Sequence, residues 1–361
     1  MKVLSTGHYA SSISTTIAQF QLLIGLQKKG VDVTVIGLFS DEILKILEHN
    51  GIKCIASFPD SKFDRNYIEQ IQAYVRENQI DIVHAFNGKC LRNVNIALKD
   101  IPVKLITYMG STSLYWHDPS AYLTYLNPRI DAIICNSAHV YKHVKKQLFG
   151  NRKQKAVKIY KGYDPTWFED SNTFDYTTIN IPENAIKVCL AANYLKVKGI
   201  EYFIKSSYHL EKNNNIHYIL LGDMRGNKTV PELVAKSPIK KRIHVMGSQK
   251  NAVSFFKGAD IYVQTSNNEG FGRAISEAMC SKKPIIMTDA GGCTELIDVK
   301  SGIVVPKKNP KAIAAAILKL AEDKELRLQM GKAAFERIQK TYSIEKTIDE
   351  TLALYKNTLN S

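Results

Sequence analysis

Short apolar strands alternate with helix-length amphipathic segments along almost all of this 361-residue chain. Strands that alternate with helices require crossover connections, and these connections produce a parallel sheet with helices on both faces. The pattern therefore predicts an α/β protein. The predicted strands are residues 2–5, 31–37, 53–57, 81–86, 103–108 and 132–136 in the first half, and 187–192, 216–222, 243–247, 260–265, 284–288 and 302–305 in the second.

A polar stretch at 168–184 separates the two runs of strands, and the chain is longer than one hydrophobic core usually requires. We therefore predict two Rossmann-like, doubly wound domains, 1–167 and 185–340, joined by a linker at 168–184. The last predicted helix, at 341–361, could pack back on the first domain. Doubly wound sheets bind ligands at the carboxyl ends of their strands, so the ligand is expected in a central cleft that the two domains face.

The chain is strongly basic, with 49 Lys and Arg against 34 Asp and Glu, a formal net charge of +15. Residues 142–161 hold eight of the basic residues and no acidic one. Such a segment attracts phosphate-rich partners or an anionic membrane surface, although a solvated helix face has the same composition. A nucleic-acid partner is not expected, since few aromatic residues interleave with the basic ones.

Two further features concern the cellular compartment. The chain has no apolar span near the roughly 18 residues of a membrane helix, and its start lacks the apolar core of a signal peptide. A cytoplasmic location is expected, either free or peripheral on the inner face of the cytoplasmic membrane. The six cysteines are far apart in sequence, so neither a zinc site nor a disulfide framework is predicted.

The most informative segment for function is 268–280, Asn-Glu-Gly-Phe-Gly-Arg-Ala-Ile-Ser-Glu-Ala-Met-Cys. A strand that ends at 265 and a helix that begins near Gly272 leave Glu269, Gly270 and Phe271 in the turn between them. Free backbone N–H groups at the positive end of a helix form an anion site. The two glycines allow the backbone to approach a ligand closely.

Two carboxylates flank this anion site. Glu277 lies about one and a half turns into the helix and would suit ribose hydroxyls, while Glu269 would suit a hexose hydroxyl or a developing oxocarbenium charge. Glu277 could equally be an acidic residue that the helix dipole favours near a helix start. A dinucleotide fingerprint is disfavoured because Ile275 stands where its third glycine would be.

The spacing of Glu269 and Glu277 around Gly-Phe-Gly resembles the signature of the retaining glycosyltransferases of family 4, which have the GT-B fold of two facing Rossmann-like domains. Further segments agree with this resemblance, and together they cover nearly the whole chain. They are 22–35, 81–84 and 159–164 in the first half, and 192–199, 221–223, 244–247, 291–295 and 301–306 in the second.

The resemblance implies a role for each matching residue. Lys198 would neutralise the donor diphosphate as the glycosidic bond breaks, and Glu269, with the amides of Phe271 and Gly272, would hold the transferred sugar. These two charged residues form the implied catalytic pair. The implied donor-binding residues are Glu277 at the ribose, Gly270, Phe271, Gly272, Arg273, Asn193, Gly7 and Gly247.

The chain also departs from the family pattern at three places. Asn193 occupies the position of a usual arginine, so one phosphate-binding cation is missing or comes from elsewhere. Gly7 with Ser11, Ser12 and Ser14 lines the loop that paired glycines usually open. Met109 stands where a histidine often contacts the sugar, and His117 is a candidate substitute.

The implied activity is the transfer of a hexose or N-acetylhexosamine, with retention of configuration, from a UDP-sugar or GDP-sugar to a glycan or lipid-linked acceptor. Synthesis of bacterial surface polysaccharide or lipopolysaccharide is the implied setting. The chain contains no Asp-x-Asp triplet, so transfer without a metal or cofactor is expected. The alternatives are a nucleotide-sugar epimerase or a phosphorylase of the same architecture, and a catalytically silent nucleotide-binding module.

Overall fold

A computed structural model describes residues 1–210 and 215–361 and divides them into two units. Unit 1 comprises Met1–Gly162 and Ile344–Ser361, and unit 2 comprises Tyr163–Ser343. Each unit has one parallel sheet with helices packed on it, which confirms the predicted architecture of two α/β domains.

Unit 1 has seven strands in the order β3-β2-β1-β4-β5-β6-β7, and every neighbouring pair is parallel. The order reverses at β1, whose two neighbours are β2 and β4. The strands are β1 (Lys2–Tyr9), β2 (Asp32–Phe39), β3 (Lys53–Ala56), β4 (Ile82–Ala85), β5 (Lys104–Met109), β6 (Ala132–Cys135) and β7 (Ala156–Lys158). The helices are α1 (Ile13–Lys28), α2 (Asp41–His49), α3 (Arg65–Glu77), α4 (Gly88–Ala97), α5 (Ala138–Gln147) and, from the end of the chain, α12 (Ile344–Leu359).

The described part of unit 2 has six strands in the order β10-β9-β8-β11-β12-β13, again all parallel. The strands are β8 (Ile186–Ala191), β9 (Ile216–Leu221), β10 (Ile243–Gly247), β11 (Ile261–Gln264), β12 (Ile285–Thr288) and β13 (Gly302–Val305). The helices are α6 (Ile200–Ser206), α7 (Thr229–Lys236), α8 (Ala252–Gly258), α9 (Arg273–Cys280), α10 (Pro310–Glu322) and α11 (Lys324–Thr341).

The composition of the strands explains the cores of both units. All residues of β4, β6, β11 and β12 are buried, as expected for parallel strands that are covered on both faces. Side-chain caps fix several helix starts; the Ser137 hydroxyl, for example, accepts a hydrogen bond from the Val140 amide at 3.1 Å.

Helix α12 belongs to unit 1, where it packs on α1. A Cβ atom at Gly25 would collide with the side chain of Ile348, so a glycine at this position of α1 allows the close contact. At the other end of the helix, the Tyr355 hydroxyl and His84 Nδ1 are hydrogen-bonded at 2.6 Å. These contacts attach the last helix of the chain to the first sheet.

Some elements differ from the predicted ones. Strand β1 continues to Tyr9, four residues beyond its predicted end, so Gly7 lies inside the strand and not in the loop after it. Strand β7 and helix α7 had no prediction, because the first is three residues long and the second contains Pro231. Residues 168–184 lie within unit 2, where the Phe174 ring stacks on Phe255 at 4.0 Å.

Across residues 1–210 and 215–361, no helix is both long enough and apolar enough to cross a bilayer.

Candidate active site

The topology of unit 2 identifies one edge of its sheet as a ligand site. Strand β8 has β9 on one side and β11 on the other, so the loops that follow β8 and β11 lead to helices in opposite directions. A crevice forms between two such loops at the carboxyl ends of the strands, and doubly wound proteins bind ligands there. The two loops are 192–199 and 265–272, which hold most of the site residues predicted from the sequence.

An ion pair joins these two loops. Lys198 Nζ lies 2.6 Å from Glu269 Oε2, and the two side chains are 27% and 15% exposed. The Ser266 hydroxyl donates a second hydrogen bond to the same carboxylate oxygen at 3.3 Å. The two residues implied to be catalytic are therefore in direct contact at the topological switch point.

Backbone geometry places Lys198 at this position. Lys198 ends a short 3₁₀ turn, and the next residue, Gly199, has φ +60°. A Cβ atom on Gly199 would lie 2.2 Å from the carbonyl oxygen of Thr265, so only glycine lets the two loops come this close. The Thr265 hydroxyl donates to the Gly199 carbonyl at 2.9 Å and fastens the loops together.

A chain of buried hydrogen bonds fixes the carboxylate of Glu269. The Tyr262 hydroxyl donates to Gln264 Oε1 at 2.7 Å, and Gln264 Nε2 donates to the Ser266 hydroxyl at 2.8 Å. The Ser266 hydroxyl then donates to Glu269. We call Tyr262, Gln264 and Ser266 the Glu269 relay; all three are almost fully buried.

The turn that begins α9 is held by packing. Gly272 caps the helix with φ +105°, and a Cβ atom there would lie 2.6 Å from Ile275 Cδ1. The side chain of Phe271 is 3% exposed, and its ring packs edge-on against Tyr342 at 5.5 Å. Gly270, between Glu269 and this anchor, is partly exposed. The first turn of α9 therefore points its amides along the same edge as Glu269.

Glu277 is the most deeply buried acidic residue of the site. Its side chain is 1% exposed, and Oε1 lies 3.0 Å from Nη1 of Arg273, which is one turn earlier and 41% exposed. Burial lowers the pKa of Arg273, but the Glu277 carboxylate outweighs this effect, so the net shift is upward. The pair therefore places a carboxylate and a guanidinium side by side next to the start of α9.

Both carboxylates act on one buried hydroxyl. Burial raises the pKa of Tyr262 well above its usual value, and Glu277 and Glu269 each add to this increase. The two glutamates of the motif therefore both lie near Tyr262.

A second cation lies at the neighbouring strand end. The Asp223 amide donates to Asn193 Oδ1 at 2.9 Å, and Asp223 holds the Arg225 guanidinium through Nε at 2.9 Å and Nη2 at 2.7 Å. The hydrogen bonds from Arg225 lower the pKa of Asp223 to about 2. Asn193, which replaces the usual arginine, thus faces a loop that supplies an arginine of its own.

Arg225 was not among the residues predicted from the sequence. It lines a surface depression with Asn193, Tyr194, Asp223, Gly226 and Asn227. The sequence signal for Arg225 is its position two residues after Asp223, the acidic residue that follows β9.

The remaining predicted residues lie on other elements. Gly247 ends β10, and its carbonyl accepts a hydrogen bond from the Gly222 amide at 2.8 Å, so it belongs to the same edge of unit 2. Gly7 belongs to unit 1, where it is buried beneath the ring of Tyr9. Met109 is buried at the end of β5, and His117 is exposed in the loop that follows.

Within residues 1–210 and 215–361, no group of three or more His, Cys, Asp or Glu side chains is arranged to hold a metal ion. The groups that unit 2 does bring together are an ammonium, two carboxylates and the amino end of a helix. This combination suits a ligand that carries both phosphate and several hydroxyl groups.

Two family models match the chain. Residues 19–167 match Glycosyltransferase Family 4, and residues 173–337 match Glycosyl transferases group 1. The first match covers most of unit 1 and ends in the first residues of unit 2. The second match falls in unit 2 and contains the site residues described there.

Two relatives illustrate the similarity. The chain is 26% identical over 317 residues to an uncharacterised glycosyltransferase of Methanocaldococcus jannaschii, covering 84% of both chains. It is 29% identical over 176 residues to the N,N'-diacetylbacillosaminyl-diphospho-undecaprenol alpha-1,3-N-acetylgalactosaminyltransferase of Campylobacter jejuni, covering 48% of this chain and 46% of that protein.

A solved structure shares the fold over the whole length. The Anabaena protein HepE in complex with UDP-glucose superimposes with a TM-score of 0.78 at 20% identity, covering 98% of this chain and all of that one.

Proposed function

Because the chain belongs to the group 1 glycosyltransferases of the family 4 type and has their two-domain GT-B fold, we propose that it is a retaining enzyme with a nucleotide diphosphate sugar as donor. The donor would occupy the carboxyl edge of unit 2, at the crevice between β8 and β11. The observation that carries this proposal is the contact between Lys198 and Glu269 across that crevice.

The two groups of the ion pair match the two parts of a nucleotide-sugar donor. A diphosphate brings negative charge that Lys198 would meet, and a sugar brings hydroxyls from which Glu269 would accept hydrogen bonds. Donor binding would exchange one internal ion pair for two contacts with the ligand, and Lys198 would lie next to the phosphate on which charge develops as the glycosidic bond breaks.

Glu277 is the proposed partner of the ribose. Vicinal hydroxyls need a hydrogen-bond acceptor, and the carboxylate of Glu277 is such an acceptor, buried 3.0 Å from the Arg273 guanidinium. Arg273 itself remains 41% exposed, so it can also face the diphosphate.

Uridine diphosphate is the first nucleotide to test. The Anabaena structure contains UDP-glucose, and it shares the fold of this chain. Fold similarity at 20% identity does not choose a base, so a guanosine diphosphate donor is the second member of the screen.

We propose that the diphosphate leaves without a metal ion. The ammonium of Lys198 and the amides that begin α9 supply positive potential where a divalent cation would act in other enzymes. Turnover that continues unchanged in excess EDTA supports this part of the proposal. Turnover that is lost in EDTA and restored by Mg²⁺ or Mn²⁺ contradicts it.

The proposed acceptor is a glycan or a lipid-linked glycan used in bacterial surface polysaccharide or lipopolysaccharide synthesis. The Campylobacter relative is named for an acceptor attached to diphospho-undecaprenol. An acceptor of that chemistry lies in a membrane, and residues 142–161 of this chain carry the basic charge that an anionic membrane attracts. The proposed location is therefore cytoplasmic, with reversible attachment to the inner face of the cytoplasmic membrane.

A thermal-shift screen of UDP-sugars and GDP-sugars tests the proposed donor class. A ligand at a hundred times its dissociation constant adds about 2.7 kcal/mol of stability, which is readily seen as a rise in Tm. Donors that raise Tm are then incubated with enzyme, and the anomeric configuration of the product is read by NMR.

The screen has three informative outcomes. A donor that stabilises the protein and is turned over with retention supports the proposal. Nucleotide binding without turnover of any donor, even by hydrolysis, would favour a silent nucleotide-binding module. Stabilisation by no nucleotide would overturn the assignment of the site.

A further inference from the structure

The loop after β5 presents a surface of exposed aromatic rings. Residues 115–120 are exposed without interruption, and Tyr115 and Trp116 are 46% and 52% exposed. Phe149, just after α5, is 55% exposed. We call Tyr115, Trp116, His117 and Phe149 the aromatic surface; large exposed rings that cluster in this way indicate an interaction site.

The aromatic surface has a fixed framework. The Trp116 amide donates to Gln147 Oε1 at 3.1 Å, and its ring meets the ring of Phe149 edge-on at 6.2 Å. The loop is further tied to α5 by a hydrogen bond of 2.7 Å between His143 Nε2 and the Leu114 carbonyl. Its backbone is therefore anchored to the helix while the rings remain on the outside.

Two rings of this surface, Trp116 and Phe149, lie away from the ligand edge of unit 1. Helix α5 begins at the carboxyl end of β6 and runs back along the sheet for ten residues, which is about 15 Å. Gln147 and Phe149, which contact Trp116, are at the far end of that helix. Trp116 and Phe149 are thus about a helix length from the strand ends where a parallel sheet binds its substrate, whereas Tyr115 contacts His143 in the middle of α5.

Exposed ammonium groups border the rings. Lys142 and Lys146 are one turn apart on α5, and both are neighbours of His143, whose ring contacts Tyr115 at 5.4 Å. Other basic residues of the segment are committed to the fold, since Arg152 and Lys155 donate to backbone carbonyls of Leu126 and Pro128. The basic charge next to the rings therefore comes mainly from α5.

Few acidic residues occur in this segment. Between positions 110 and 161 the acidic residues are Asp118 and Asp131. The Asp118 carboxylate accepts hydrogen bonds from the amide and hydroxyl of Ser120 at 2.8 and 2.9 Å, and Asp131 pairs with Arg129 at 3.1 Å. The surface as a whole is positive and aromatic.

We propose that the aromatic surface and the lysines of α5 dock on an anionic phospholipid bilayer. Amphipathic rings prefer the depth of lipid headgroups, and lysines beside them would meet lipid phosphates. The inference rests on the proposed action on a membrane-bound acceptor, and it names the surface that holds the enzyme there. A soluble glycan would need hydrogen-bonding side chains around the rings, whereas the border here is formed by exposed ammonium groups.

Tryptophan fluorescence tests this docking directly. The chain contains two tryptophans, so the Trp167→Phe variant leaves Trp116 as the sole indole. Vesicles of phosphatidylcholine with 30% brominated phosphatidylglycerol should shift its emission to the blue and quench it. Vesicles of brominated phosphatidylcholine alone should do neither. Emission that ignores anionic vesicles, or that responds instead to soluble oligosaccharide, overturns the proposal.

Charge variants test the contribution of α5. Lys142→Glu with Lys146→Glu should weaken vesicle binding at least tenfold in a flotation assay. Lys311→Glu with Lys319→Glu makes the same charge change on exposed residues of α10 in unit 2 and should bind like the unmodified chain. Equal losses in both pairs would mean that only net charge matters, which contradicts a specific surface.

Apolar variants test the rings. Trp116→Ser with Phe149→Ser should also lose at least tenfold in vesicle binding, whereas Leu328→Ser, at a 59% exposed position of α11, should not. Nucleotide-induced thermal shift is measured on every variant. Variants that keep the shift but lose vesicle binding support the docking surface, and unchanged vesicle binding refutes it, whatever the donor screen shows.

Discussion

The Lys198 ammonium lies 2.6 Å from the Glu269 carboxylate, although 71 residues separate them in sequence. The contact joins the loop after β8 to the loop after β11, and these two loops lead to helices in opposite directions. Because the two groups compensate each other's charge, the ion pair holds both side chains at the carboxyl edge of unit 2. Preorganisation of this kind reduces the reorganisation that catalysis would otherwise require.

The Glu269 relay predicts an effect on turnover. Ser266→Ala removes one hydrogen bond to the carboxylate and should lower kcat about tenfold, since about 1.4 kcal/mol of transition-state stabilisation corresponds to that factor. UDP affinity measured by calorimetry should stay the same. Ser254→Ala, at a partly exposed position on α8, is the control. Equal kcat values for the two variants would exclude a positioning role for the relay.

Glu277→Gln separates a ligand-binding role from a structural one. The substitution keeps the shape of the side chain but removes the charge that faces Arg273, so we expect a loss of about 1–3 kcal/mol in the free energy of unfolding. We also expect UDP affinity to fall at least tenfold. Exposed Glu322→Gln should change neither quantity. Reduced stability with unchanged UDP affinity would assign Glu277 to the fold alone.

Gly199→Ala tests the close approach of the two loops. The new methyl group would meet the Thr265 carbonyl at 2.2 Å, in addition to the cost of a positive φ. We expect destabilisation of more than about 2 kcal/mol in urea unfolding. Gly150→Ala is a matched control, because φ is +53° there and nothing lies within 4 Å of the added atom. It should cost only about 1 kcal/mol. Similar costs at both positions would argue against steric contact between the loops.

His84 predicts how stability depends on pH. Burial lowers the pKa of His84 from 6.5 to about 3. As the pH falls, His84 is therefore protonated near pH 6.5 in the unfolded chain but only near pH 3 in the folded chain. Stability should therefore fall as pH decreases through this window, by about 2 kcal/mol between pH 7 and pH 5 from this group. Urea unfolding of His84→Gln should show a loss smaller by that amount. Identical pH profiles would mean that His84 is solvated in the folded state.

The alternation of strands and helices along the sequence predicts both sheets, because each strand and each helix has its own local pattern of apolar residues. The ends of the predicted strands agree with the observed ones to within two residues, apart from β1, which continues four residues further. Strand β7 was not predicted, because its three residues lie within a basic stretch and carry too little apolar signal.

The site was predictable where its chemistry is contiguous in sequence. Glu269, Gly270, Gly272 and Glu277 form one motif, and their placement on one strand-to-helix turn follows from that motif. The Glu269 relay depends on which side of β11 each residue faces and on the turn that follows. Arg225 depends on the side-by-side arrangement of β8 and β9. Contacts between neighbouring strands arise from register, which no local pattern encodes.

Calorimetric titration of UDP into the unmodified chain, Lys198→Met and Lys196→Met tests the central claim most directly. Lys196 is an exposed lysine in the same turn as Lys198, so the two variants remove the same charge two residues apart. The account predicts that the unmodified chain and Lys196→Met bind UDP with equal affinity, and that Lys198→Met binds at least tenfold more weakly, as expected for a lost hydrogen bond to a charged group. Equal affinity in Lys198→Met and Lys196→Met would contradict a diphosphate site at the Lys198–Glu269 contact.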